Sequence, residues 1–247
     1  MRTECVNMTV NELIRDAAML YVAWLPKTKR TYLTEEDGAL CAVIFPEQAD
    51  LDRYALQKKE EGLRIDAKES PKEDRYLLLT DFWRCGITKV RIEGSEPVTV
   101  PLSDLFSPPD YSQVPLEKRP IPDPALTGAV YRLLQHTACG TADAAMLTET
   151  LTKIRGANLF GPVIDHEDGS MGLPVIRQEG KRLSLLFTDT REFGLAFEGE
   201  DITTKRFEFS DILWLLQHNS DAVALNIGSG MPLLLDMALL KAAGFAG

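Results

Sequence analysis

The chain has 247 residues, of which 45% are hydrophobic, so it can bury the core of one large domain or of two small ones. Its 27 Lys and Arg residues face 37 Asp and Glu residues, and the net charge is −10. This balance disfavours nucleic acids and anionic membrane surfaces as partners, because both bind basic patches.

Four cysteines, Cys5, Cys41, Cys85 and Cys139, lie far apart, whereas zinc sites and disulfide frameworks use close, paired spacings. We therefore expect free thiols, with Cys41 in the core. The first residues lack a signal-peptide apolar stretch, and no apolar run approaches 18 residues. These features predict a cytoplasmic protein.

The first half of the chain predicts helices alternating with strands. Thr9 and Glu12 have the spacing of a capping box, which predicts a helix start before a strand in residues 16–25. A strand over residues 38–45 ends on Phe45, and Pro46 suits the first turn of the helix that follows.

The charge-rich residues 57–75 are interpreted as a solvated loop, with a partner-binding arm as the alternative. Thr80 and Asp81 are expected to cap the next helix. A strand, a turn containing Gly94 and a short extended piece follow, up to residue 105.

Residues 107–124 contain six prolines, which remove amide donors and fix φ. They predict a linker. Residues 125–140 predict one extra helix closed by Gly140, and residues 142–156 predict a second helix.

The second half again predicts alternating elements. Residues 172–187 predict a hairpin around Glu179 and Gly180, and Thr188 is expected to be the N-cap of the next helix. Ser210 and Asp211 are expected to cap another helix. The last strand then meets a glycine-containing turn and an apolar helical tail.

Four segments of the first half have counterparts in the second half, in the same order. The four starting positions, residues 16, 38, 77 and 87, are matched at offsets of 139, 142, about 131 and 135. These offsets align Tyr21 with Phe160, Phe45 with Phe187, and Ile92 with Ile227; the same 135-residue offset also aligns Val98 with Leu233. The constant order indicates an internal duplication.

The predicted fold class is therefore α+β or α/β, in two tandem domains that each have a mixed β-sheet with flanking helices. The expected boundaries are residues 1–107 for copy one, 108–124 for the linker, and 125–247 for copy two with its extra N-terminal helix.

The second copy resembles the SseB N-terminal domain family. The pattern of that family has an apolar strand ending in F-T-[DS], helices, the motif L-x-[IL]-N-P-G, and a final helix. Phe187-Thr188-Asp189 matches the first motif, and Leu225-Asn226-Ile227-Gly228 matches the second except that Ile227 replaces proline. The resemblance implies a small α/β domain with no established activity, found in bacterial cytoplasmic proteins, and it supplies no catalytic residues.

The segment Gly228-Ser229-Gly230 follows a strand, as phosphate-binding loops do. It lacks the third glycine of a dinucleotide fingerprint and the lysine of a P-loop. A tight turn in which glycine supplies positive φ is therefore favoured. The candidate binding residues are the polar groups of these motifs: Asp189, Asn226 and Ser229.

Two other polar groups are interpreted as structural. Asp165 to Asp168 places three carboxylates around His166, but an Asp-Gly turn explains it better than a metal site. His136 and His218 each end a helical segment, where the helix dipole favours a cation.

The sequence thus predicts a non-catalytic binding or scaffold protein without catalytic residues, metal or cofactor. Its expected partner is another protein or a second copy of itself, with no nucleic acid or membrane. The alternative is a small-ligand-binding protein or an enzyme whose site lies in the cleft between the halves.

Overall fold

A computed structural model of the chain describes residues 10–94, 96–115, 118–120, 123–165, 171–198, 200 and 202–246. The chain divides into two compact units. The first unit comprises residues 1–26 and 30–110, and the second comprises residues 27–29 and 111–247.

The first unit alternates helices and strands. Its elements are α1 (Val10–Asp16), β1 (Met19–Leu25), β2 (Arg30–Thr31), β3 (Leu33–Glu36), β4 (Ala39–Phe45), α2 (Gln48–Glu60), β5 (Asp66–Pro71), α3 (Arg75–Arg84), β6 (Lys89–Ile92) and β7 (Val98–Pro101).

One mixed sheet holds all seven of these strands. β4 and β6 are parallel, and the other pairs are antiparallel. The helix α2 covers one face of the sheet, where Leu51 packs with Val43 and Phe45. The strands β1 and β4 are largely apolar and buried, so this packing explains why the sheet forms here.

The second unit begins with two helices. Its elements are α4 (Pro124–Cys139), α5 (Ala144–Arg155), β8 (Leu159–Asp165), β9 (Met171–Gly172), β10 (Val175–Gln178), β11 (Lys181–Leu186), α6 (Thr190–Ala196), β12 (Thr203–Phe207), α7 (Phe209–His218), β13 (Ala222–Leu225), β14 (Leu233–Leu235) and α8 (Met237–Ala242).

Two sheets form the second unit. The strand orders are β10-β11-β13-β14 and β12-β8-β9, and an antiparallel bridge between Phe160 and Phe187 connects them. β11 and β13 are parallel, and β10 and β11 form the predicted hairpin. Glu179 and Gly180 both have positive φ, as a two-residue hairpin turn requires. The prediction of a mixed sheet with flanking helices is therefore confirmed.

The two units contain the same strand pairings in the same order. Tyr21 pairs with Phe45 in the first unit, and Phe160 bridges to Phe187 in the second. The parallel pair β4–β6 corresponds to β11–β13, and the hairpin partner β7 corresponds to β14. This correspondence supports an internal duplication, which stays a prediction.

The register corrects one part of the sequence alignment. Ile44 pairs with Ile92, and Leu186 pairs with Leu225. Ile92 therefore corresponds to Leu225 and not to Ile227. The turn after the strand explains the error, because it is two residues longer in the second unit. A shift of two residues keeps every side chain on the same face of the strand, so the apolar pattern could not reveal it.

Several predicted helix starts are wrong by a few residues. α2 begins at Gln48 after Glu47, so Pro46 lies outside the helix. The N-cap of α6 is Asp189 and not Thr188. Thr80 lies inside α3, where its hydroxyl donates to the Tyr76 carbonyl.

The start of α7 is closer to the prediction. Glu208 is its N-cap and forms a capping box with Asp211. Ser210 lies in the first turn and is not the cap. The Thr9–Glu12 capping box cannot be compared, because Thr9 lies outside the described residues.

The structure of residues 57–75 differs from the prediction, whereas that of the Pro-rich segment agrees with it. Residues 57–75 were predicted to be a loop, but they contain the end of α2, all of β5 and the first residue of α3. In the Pro-rich segment the described residues up to Asp123 form no α-helix or strand, and Pro124 begins α4. Gly140 ends α4 with φ of 73°, as predicted.

The described cysteines are free thiols, namely Cys41, Cys85 and Cys139. Cys41 is fully buried in β4, which confirms its predicted place in the core. Burial raises the pKa of the Cys41 thiol to about 11, since the low-polarity interior disfavours the thiolate.

We expect Phe187→Ala to lower the free energy of unfolding by about 3–5 kcal/mol, because a fully buried aromatic ring leaves a cavity. The ring of Phe187 lies 5.4 Å from Phe193 and 5.8 Å from Phe197, measured between centroids. Urea denaturation followed by circular dichroism measures the loss. Trp214→Ala is the control, since Trp214 is exposed. Equal losses in the two variants would place Phe187 outside the core.

Candidate functional site

The polar groups of the second unit converge where two parallel strands end. β11 is followed by Thr188, and β13 is followed by Asn226. The Thr188 amide donates to Asn226 Oδ1 at 2.9 Å, and Asn226 Nδ2 donates back to Thr188 Oγ1 at 3.1 Å. The Asn226 amide also donates to the Leu186 carbonyl at 2.9 Å. Asn226 therefore joins the ends of both strands.

Asn226 supplies the unusual backbone conformation of this turn. Its φ is +61°, in the left-handed region that asparagine tolerates better than most residues. The sequence analysis assigned positive φ to the glycines of Gly228-Ser229-Gly230, and that assignment is wrong. Neither Gly228 nor Gly230 has positive φ.

Gly228 is needed for close approach instead. A Cβ atom on Gly228 would lie 2.7 Å from the Ala196 nitrogen and 2.8 Å from the Leu195 carbonyl carbon. Both contacts are with the backbone of α6, which cannot rotate away as a flexible side chain can. The turn after β13 is thus pressed against the last residues of α6.

Two carboxylates and two hydroxyls complete the cluster. Asp189 Oδ1 accepts the amides of Arg191 and Glu192, both at 3.0 Å, and so caps α6. Glu192 Oε1 accepts the hydroxyl of Tyr131 on α4, and its Oε2 accepts the hydroxyl of Ser229 at 3.1 Å. Asp189 and Glu192 have no exposed surface.

The cluster joins α4, α6 and the two strand ends through buried hydrogen bonds. Asp189, Asn226 and Ser229, the three predicted candidates, lie together in it. Sequence reasoning missed Glu192 and Tyr131. The spacing Asp189-x-x-Glu192 is that of a capping box and could have indicated Glu192. Tyr131 lies 61 residues from Glu192 in sequence, so no local pattern could indicate it.

A known family matches the part of the chain that holds this cluster. The family described as SseB protein N-terminal domain matches residues 130–242, which include both motifs and every member of the cluster. We call this matched segment the SseB domain. The chain matches no curated protein sequence.

Two solved structures resemble the chain at low identity. Tic22 from Plasmodium falciparum is 13% identical, with 83% of this chain and 85% of that chain covered and a TM-score of 0.26. Anabaena Tic22, described as a protein-transport protein, is 12% identical, with 88% and 92% covered and a TM-score of 0.24. Neither likeness bears on what this chain does.

The SseB domain exposes apolar side chains around α6. Phe193 and Phe197 are half-buried and pack against the sheet, together with Ile227. Leu195 is 46% exposed beside the Gly228 turn, and Leu234 on the edge strand β14 is 45% exposed. We call these five residues the α6 patch.

The corresponding strand row is more polar in the first unit. In the SseB domain Leu185, Ala224 and Leu234 pair across three strands and share one face. The corresponding row in the first unit is Val43, Arg91 and Thr99.

The covering helices of the two faces also differ in length. α2 has 13 residues and α6 has 7. At 1.5 Å per residue, α6 covers roughly half the length that α2 covers. Compared with the first unit, the SseB domain therefore has a more apolar strand row and a shorter helix packed on it.

The remaining predicted sites can be placed in part. Asp165 ends β8 and pairs with Met171, but the residues 166–170 that complete the acidic segment lie outside the described part of the chain. His136 lies near the end of α4, and His218 ends α7 and stacks on Trp214. Among the described residues, no group of three or more His, Cys, Asp or Glu side chains could hold a metal ion.

None of the described helices combines the length and the apolar character that crossing a bilayer requires.

Asn226→Ala and Asn226→Gly separate the two roles of Asn226. We expect Asn226→Gly to cost about 1–3 kcal/mol of unfolding free energy, because the buried groups of Thr188 lose their partner. Asn226→Ala should cost roughly 1 kcal/mol more, since alanine adds strain at positive φ. Denaturant unfolding measures both. An alanine variant as stable as the glycine variant would show that φ is not constrained here.

Gly228→Ala should destabilise the domain by about 1–3 kcal/mol, the usual cost of overpacking. The matched control is Gly194→Ala, in the middle of α6, where an added Cβ meets nothing within 4 Å. That control should stabilise the domain by about 0.5–1 kcal/mol, because alanine forms helix better than glycine. Thermal unfolding compares the pair. Effects of the same sign would contradict the close-approach role of Gly228.

Proposed function

We propose that this chain is a non-catalytic binding or scaffold protein that holds another protein, or a second copy of itself, on the α6 patch of its SseB domain. The observation that carries the proposal is the division between buried polar groups and exposed apolar ones. The candidate polar residues form hydrogen bonds to one another inside the fold. The apolar side chains of Leu195 and Leu234 are instead exposed at the surface.

The polar cluster supports a structural role for the candidate residues. Asn226 is fully buried, and its amide oxygen and nitrogen are both bonded to Thr188. Ser229 is buried and donates to Glu192 Oε2 and to the Asn226 carbonyl, the latter at 2.6 Å. A general acid, base or nucleophile must reach a substrate, and these groups instead bind one another.

The α6 patch supports a protein partner. Leu195 and Leu234 are large aliphatic side chains near half exposure on a surface that also includes two phenylalanine rings. Aromatic and aliphatic anchors of this kind dominate the energetics of protein interfaces. The partner is therefore expected to present an apolar segment.

We also propose that the protein works in the cytoplasm. Cys139 is an exposed thiol, and Cys41 and Cys85 are likewise thiols outside any disulfide. Free thiols, including one at the surface, are typical of a reducing compartment.

Photo-crosslinking in cells of the source organism tests the proposal. A photoreactive amino acid at position 195 or 234 should capture the same partner, or a second copy of the chain. Position 164 is the control, because Ile164 is 50% exposed in the same domain but lies outside the α6 patch. The double variant Leu195→Glu, Leu234→Glu should lose the partner, since burying a carboxylate in an apolar contact is costly.

Two outcomes would contradict this function. One is an identical set of cross-links at positions 164, 195 and 234. The other is a Leu195→Glu, Leu234→Glu protein that keeps its partner with wild-type affinity while remaining folded by circular dichroism.

A further inference from the structure

The turn after β6 in the first unit leaves open a space that its counterpart fills in the SseB domain. The Glu93 amide donates to the Ile44 carbonyl at 2.9 Å, as the Asn226 amide does to Leu186, so Glu93 and Asn226 are equivalent. Residues 93–97 join β6 to β7, whereas the longer segment 226–232 joins β13 to β14.

The two extra residues change the packing beside the helix. In the SseB domain Gly228 is pressed against the backbone of α6, and Ser229 reaches Glu192 within that helix. In the first unit Gly94 is exposed, and a Cβ on it would meet nothing within 4 Å. No contact of Gly94 therefore closes the space between the described part of this turn and α2.

A pocket of about 170 Å³ occupies that space. One wall is α2, which contributes Asp50, Arg53, Tyr54 and Gln57, spaced to share one helix face. Phe45 and the turn carrying Glu93 form the rest. Open α/β sheets bind ligands at the carboxyl ends of their parallel strands, and β4 and β6 end here.

The pocket is aromatic at its base. The ring of Tyr54 lies 5.2 Å from that of Phe45. Burial raises the pKa of the Tyr54 hydroxyl, which stays protonated. The Lys58 ammonium lies 5.5 Å from the Tyr54 ring centroid, in cation–π range, and its charge is paired with Glu61.

The charges around the pocket leave one negative charge in excess. Arg91 Nε donates to Glu93 at 2.6 Å, and Arg91 Nη1 donates to Glu36 at 2.9 Å. Two carboxylates thus share one guanidinium. Arg53 is paired with Asp50, so that pair is neutral.

The same contacts keep the Glu36 carboxylate ionised. Hydrogen bonds from Arg91 and Thr99 hold the pKa of Glu36 below its ordinary value. Lys89 is paired with Asp37 and also helps to lower the pKa of Glu36. When Arg91 and Lys89 are counted against Glu36, Glu93 and Asp37, one negative charge remains in excess. The side chain of Glu93 is only 17% exposed, so water screens its charge weakly.

We propose that this pocket of the first unit binds a small organic cation, a protonated amine with a ring-sized apolar body. The apolar part would lie on the Tyr54 ring, behind which Phe45 is buried, and the ammonium would face Glu93. Because the pocket is open to solvent, one face of the ligand would stay in contact with water.

Three probes of one shape test the charge preference: benzylamine, benzyl alcohol and benzoate. Isothermal titration of the full chain should give one-site binding of benzylamine at least about ten-fold tighter than that of benzyl alcohol, with benzoate weakest. Amide chemical-shift changes should centre on Tyr54 and Gly94. Benzoate binding as tightly as benzylamine, or no saturable benzylamine binding up to about 10 mM, would overturn the proposal.

Matched variants locate the site. Glu93→Gln should weaken benzylamine binding at least about ten-fold, whereas Glu96→Gln, on the same turn but outside the pocket, should leave it within about two-fold. Gly94→Trp should block binding by filling the pocket, and it leaves the Arg91 ion pairs in place. Unchanged binding in both Glu93→Gln and Gly94→Trp would overturn the proposal. None of these results depends on the partner of the α6 patch.

Discussion

The fold of the SseB domain depends on the side chain of Asn226, which connects the ends of the parallel strands β11 and β13. Its amide group replaces the hydrogen bonds that Thr188 loses where the strands separate, and its left-handed backbone turns the chain back toward β14. Strand ends buried without such a partner would carry unsatisfied amides, each costing free energy. The asparagine thus lets the chain turn inside the core.

The two units show what happens when that turn changes length. In the SseB domain the longer turn reaches α6, and Glu192, Ser229 and Tyr131 form a closed set of hydrogen bonds. In the first unit the shorter turn begins with Glu93, and a pocket lies between it and α2. One topology therefore supports either a sealed polar cluster or an open polar pocket.

The corresponding sheet faces of the two units also differ. In the first unit the corresponding row is Val43, Arg91 and Thr99, in which Val43 is buried and Arg91 forms ion pairs with Glu36 and Glu93. The row Leu185, Ala224 and Leu234 gives the SseB domain an apolar face under a helix of seven residues. An apolar face with short cover gains free energy by contacting another protein, whereas a charged face does not. This difference is the reason for proposing a protein partner for the SseB domain and a small ligand for the first unit.

Local signals in the sequence determined much of the architecture. The alternation of apolar residues, the six prolines of the connector, the pair Glu179-Gly180 and the helix-ending Gly140 predicted strands, linker, hairpin and C-cap, because each acts through neighbouring residues. The motifs at residues 187–189 and 225–228 identified the family. They also singled out Asp189 and Asn226, which do lie together.

Only the tertiary structure revealed the polar contacts, the role of Gly228 and the strand register, because these features depend on groups that are distant in sequence. Tyr131 and Glu192 meet only because the fold brings this residue of α4 within hydrogen-bonding distance of α6. The role of Gly228 depends on the backbone of α6 lying within van der Waals distance, which no pattern around residue 228 encodes. The offset between Ile92 and Leu225 was hidden because a strand shifted by two residues keeps the same apolar face. Whether a polar residue is sealed in a cluster or lines a pocket is likewise set by the length of a turn against a helix, and only three-dimensional packing reveals it.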